Sequence, residues 1–151
     1  MHPIFRKTVL ILAVPLLAAC EYEGAAYIVN GNKDENISLI REQRWFWSSE
    51  VEQAIVVARL PECQRRHEIR PGTAGSVKME VFEAGTRLWA LKQGRHWYLA
   101  STEACQFQRW PDPPEEPPGA LVGTFSRKND LLEFLPAEEG SPARRIRDSG
   151  E

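Results

Sequence analysis

The residues that could do redox, metal or nucleophilic chemistry are Cys63, Cys105, His67 and His96. Cys63 and His67 offer two of the four ligands that a structural zinc needs, and no Cys-x-x-Cys supplies the rest. His67-Glu68 does not extend to His-Glu-x-x-His, because Pro71 occupies the last position. His96 opens an apolar run, with Ser101 and Thr102 a few residues on, but the spacing marks no base–nucleophile pair. Glycoside hydrolysis needs two carboxylates several ångströms apart, and here solvated surface charge accounts for the many acidic residues. No glycine-rich phosphate loop is present. This pattern assigns no catalytic residue, metal site or cofactor, and it favours binding over catalysis.

Aromatic and basic residues give the better lead. Trp45 and Trp47 are two apart, so a strand would present both on one face. Trp89 and Trp97 stand in apolar runs further on. Tryptophan combines a broad apolar face with a polar N–H and suits sugar rings or protein surfaces. A tryptophan-rich β core is the competing use. Arg65 and Arg66, with Arg41, Arg44 and Arg70, flank these stretches. Guanidinium groups beside aromatics suit anionic lipid or glycan, and ordinary surface charge is the alternative. The binding candidates are therefore Trp45, Trp47, Trp89, Trp97, Arg65 and Arg66.

The elements that must carry them read as β. Ala26–Val29 is a short apolar run closed by the turn signal Asn30-Gly31-Asn32. The mixed β-branched and aromatic stretch from Ile37 to Trp47 is a strand or an irregular helical turn. Ala54–Ala58 is unbroken apolar sequence, suited to a strand buried on both faces. A helix capped at Ser48 or Ser49 is the alternative. Val77, Met79 and Val81 alternate with Lys78 and Glu80, a period of two. Ala84-Gly85 and Gln93-Gly94 then turn the chain, which predicts an antiparallel meander through Arg87–Lys92 and His96–Ala100. Leu121–Phe125 and Leu131–Leu135 read as a last hairpin. Between these parts, Pro111–Pro118 is too proline-rich for helix or central strand and predicts a stiff extended connector. Residues 136–151 are polar and read as a disordered tail. The expectation is an all-β domain over residues 20–135, a small antiparallel barrel or sandwich of six to eight strands.

The amino terminus sets the address. Arg6 and Lys7 precede an apolar run from Thr8 to Leu17. About ten apolar residues fall short of the roughly 20 needed to span a bilayer as a helix. Such a segment is a signal peptide. Leu17-Ala18-Ala19-Cys20 resembles the lipobox of bacterial lipoproteins. That resemblance implies cleavage after residue 19, acylation of Cys20 and a membrane anchor, palmitate being a usual acyl group. Glu21 follows, where aspartate would favour inner-membrane retention, so the outer membrane is implied, with the domain facing the periplasm. In that oxidising compartment the remaining thiols, Cys63 and Cys105, form an even pair, and a disulfide is the expectation.

Charge is nearly balanced, with 19 Lys and Arg against 21 Asp and Glu. That lacks the basic excess of a nucleic-acid partner. The function expected from these readings is a lipid-anchored, non-enzymatic envelope protein that binds a partner protein or envelope glycan. An envelope enzyme such as a wall hydrolase, or an architectural subunit of an outer-membrane assembly, is the alternative.

Overall fold

A computed structural model of the chain describes residues 21–45 and 47–138, so the lipobox and most of the tail lie outside the described residues. Among the described residues, ten strands form two antiparallel sheets. The first is a meander of β1 (Glu21–Ile28), β2 (Glu35–Gln43), β3 (Glu50–Arg59) and β4 (Cys63–Thr73). The second contains β5 (Lys78–Gly85), β6 (Leu88–Gln93), β7 (His96–Ser101), β8 (Gln106–Trp110), β9 (Leu121–Lys128) and β10 (Leu131–Pro136). Its order is β10-β9-β5-β6-β7-β8. The all-β expectation holds, as an open sandwich with more strands than expected. Ala54–Ala58 lies in strand β3, not in a helix.

Period-two patterning builds the core. Ile37 and Leu39 of β2, and Ile55 and Val57 of β3, point inward from the first sheet. Met79, Val81, Leu91, Tyr98 and Phe125 meet them from the second. All but Tyr98 are fully enclosed, and burying each such side chain contributes about 1.5–3 kcal/mol before chain entropy is set against it.

The sandwich is also covered outside its second sheet. Phe82, Ala90 and Trp97 form a separate buried cluster, flanked by Leu99, Trp110 and Leu121. These residues alternate with the inward ones, so they occupy the outer face. The chain between Trp110 and Leu121 leaves the edge strand β8 and re-enters beyond β5, so it crosses β7, β6 and β5. That passage covers four strand spacings, about 19 Å. Ten residues in a polyproline course reach about 31 Å, which is ample. Proline fits because a strap over a sheet face has no ladder to donate to. The strap ends with the Glu83 amide donating to the carbonyl of Ala120 at 2.9 Å.

A disulfide joins the sheets. Cys63 begins β4, and Cys105 ends the turn before β8, with Cα atoms 6.0 Å apart. A simple meander would have put these residues on opposite rims. Strand β4, which pairs in the other sheet, and the doubled-back turn at residues 102–105 bring them together. Strand β10 continues to Pro136, slightly further than the sequence reading placed it, and Ala137 still donates to the Val122 carbonyl.

Candidate binding surfaces

The two long edges of the sandwich differ in chemistry. Where β1 meets β10, Glu23 faces inward and accepts from Arg41 at 3.1 Å and Arg127 at 2.9 Å. Arg41 is almost wholly buried and also donates to the carbonyl of Thr73. Tyr27 packs on Phe134 across the same edge, with ring centroids 5.0 Å apart. Cations and aromatics are spent on closure there.

The opposite edge, between β4 and β8, is a seam. Alternation turns Arg65, His67 and Ile69 of β4 toward it, and Phe107 and Arg109 of β8. His67 stacks on Phe107 at 5.4 Å, and Phe107 stacks on Tyr98 at 5.2 Å. The His67 ring nitrogen Nε2 lies 3.1 Å from the carbonyl oxygen of Cys105, which sets the ring orientation. This aromatic ladder floors a groove of about 550 Å³, with Arg66, Arg70 and Arg109 along its walls. A second hollow of about 380 Å³ continues beside Arg65, His67 and Phe107. The Tyr98 hydroxyl is buried and finds no hydrogen-bond partner among the described residues.

The seam is a positive strip. Arg66 is held on the outer face by Glu42 at 3.3 Å and Glu68 at 3.0 Å. Arg65, Arg70, Arg95 and Arg109 are exposed and form no ion pair among the described residues. His96 responds to this field. Slight desolvation, then the guanidinium groups of Arg70, Arg109 and Arg95, hold its imidazole below the ordinary histidine value.

The structure separates the tryptophans of the sequence reading. Trp45 and Trp47 are not on a strand; they lie in the β2–β3 connection, where they stack face to face at 5.1 Å. Both are largely exposed, at 55% and 67%. Trp89 and Trp97 are buried, the first in the central core and the second in the outer-face cluster with Phe82 and Trp110, so neither stands out as an exposed aromatic face.

Other candidates for chemistry are placed elsewhere. His96 and Ser101 sit at opposite ends of β7 and on opposite faces. The Thr102 hydroxyl is buried and donates to Glu35, whose carboxylate also meets Arg87 at 3.7 Å. Glu35, Glu83, Tyr27, Arg87 and Trp89 line a pocket of about 340 Å³ at the rim away from Trp45. Burial raises the Tyr27 phenol above its ordinary value; the Trp89 side chain opposes this, and the carboxylates of Glu83 and Glu35 add to it. Sequence reasoning missed that pocket, since its residues come from β1, β2, β5 and β6. No group of three or more His, Cys, Asp or Glu side chains able to hold a metal occurs among the described residues. No helix among them is long and apolar enough to cross a membrane. No family model, curated protein or solved structure matches the chain.

Proposed function

We propose that the mature protein is a lipid-anchored envelope module that binds without catalysis, and that the β4/β8 seam captures an acidic, extended segment of a partner protein. The observation that carries this reading is that Arg65, Arg70 and Arg109 lie exposed along an open sheet edge, with no ion pair among the described residues, above an aromatic floor. Strand β4 is eleven residues long and has a neighbour on one side only. Its free backbone groups can accept another strand, as in β-augmentation. Its arginines oppose a second copy of the same edge by like-charge repulsion and favour an acidic guest. Guanidinium groups engage carboxylates in paired hydrogen bonds, which sets register as well as attraction. The anchor follows from the lipobox resemblance at Cys20, and the outer membrane, periplasmic side, from the residue after it.

The test is a nuclear magnetic resonance titration of the mature chain with a peptide alternating glutamate and valine. The expected result is shifts in the amides of β4 and β8, weakened by salt and abolished by Arg70→Glu with Arg109→Glu. Shifts produced by peptidoglycan fragments and not by the peptide would transfer the seam to the glycan reading. Turnover of such fragments, lost on Glu83→Gln, would establish an enzyme in place of a binding module.

A further inference from the structure

Among the described residues, the four most exposed large apolar side chains are Trp47, Tyr22, Leu131 and Trp45, each more than half exposed. All four belong to one rim. Trp45 and Trp47 join β2 to β3, Tyr22 is the second residue of β1, and Leu131 is the first of β10. The sheets share this rim: Ser49 accepts from the Ala74 amide at 2.9 Å, and Gln53 and Gln93 bond across the sandwich at 2.7 Å. Glu21 pairs with Gln43, so the chain enters β1 directly beside the tryptophan loop. Arg95, in the β6–β7 turn, adds an exposed cation to the same end, with no ion pair among the described residues. Arg44 is also exposed there, with an ion pair to Glu52 at 3.0 Å.

We propose that this rim docks into the headgroup region of the bilayer, with Trp45 and Trp47 as interfacial anchors. The inference rests on the lipid-anchored reading, because a lipid on Cys20 lies one peptide unit before Glu21. Such an anchor holds the rim at the membrane surface, so docking adds contacts without a second search. Tryptophan and tyrosine favour that depth, where the ring is half in hydrocarbon and its polar group stays wet. Arginine beside them meets lipid phosphate. The occupant is lipid because the rim combines aromatic exposure, cations and the point where the chain enters. The disulfide and the glutamate pocket then face away from the membrane.

The experiment uses the full-length protein purified from its own membranes and reconstituted into phosphatidylethanolamine–phosphatidylglycerol vesicles carrying brominated phosphatidylcholine. Bromine quenches tryptophan emission only on contact, and the mass of the amino-terminal fragment reports the anchor independently. The expected result is an acylated Cys20 and strong quenching, most of which disappears in Trp45→Ser with Trp47→Ser, while circular dichroism stays unchanged. An acylated Cys20 with no quenching, or with quenching that survives the double substitution, would overturn docking and leave the anchor standing. A bare Cys20 would overturn both. Concentration-dependent dimerisation abolished by the same substitutions would assign the rim to a second copy of the chain and also overturn the proposal.

Discussion

At the β1/β10 edge, two arginines converge on one inward carboxylate. At the β4/β8 edge, Glu68 and Glu42 engage Arg66, while Arg70 and Arg109 line the groove without an ion pair among the described residues. The same side chain closes the sandwich on one side and leaves it chemically unfinished on the other. A buried charge has to be partnered, and Arg41 is; an exposed one does not, so Arg70 and Arg109 remain available to a guest. The structural edge should therefore show itself in stability, and the seam in binding.

The largest contrast should come from Glu23→Ala. Losing it removes a carboxylate from the buried Arg41 and from Arg127, and destabilisation of about 3–5 kcal/mol is expected by chemical denaturation. A loss below about 1 kcal/mol, the range of an exposed ion pair, would break the contrast. Next is Cys63→Ser with Cys105→Ser, which releases the seam at its distal end. A loss of roughly 2–5 kcal/mol is expected, with faster hydrogen exchange in β4 and β8 than in β1 and β10. Arg70→Ala with Arg109→Ala should change stability by no more than about 0.5 kcal/mol while abolishing capture of the acidic peptide. A large loss of stability would make those arginines structural after all.

The smallest effect is the sharpest test of the field along the seam. His96 should titrate below an ordinary histidine, because neighbouring positive charge disfavours its protonated form. Removing Arg70 and Arg109 should move its titration upward, and so should a bound acidic peptide. An unchanged proton shift profile in both cases would place His96 outside the field.

Legibility from sequence divides along the same line. Strands β3, β5, β6, β7, β9 and β10 announced themselves because each buries a regular apolar set against the core. Strands β4 and β8 did not. Cys63–Thr73 reads as arginine, histidine, proline and glycine because an edge strand needs little apolar sequence and is protected by charge. Those two strands form the candidate site, so the functional edge was the part least visible in periodicity. The cysteine pair was legible from compartment logic, whereas its geometry needed β4. Tryptophan identity alone did not separate core from surface. Trp97 lies in a strand beside Phe82 and Trp110, whereas Trp47 lies in a connection between strands, and the neighbours that bury Trp97 are set by strand order.

The most direct test places a photo-activated crosslinker at position 109, in the seam, and at position 47, on the rim, in intact cells. The account predicts protein adducts from position 109 that vanish with Arg65→Glu and Arg70→Glu, and lipid adducts from position 47. Protein adducts from position 47 with none from position 109 would contradict it.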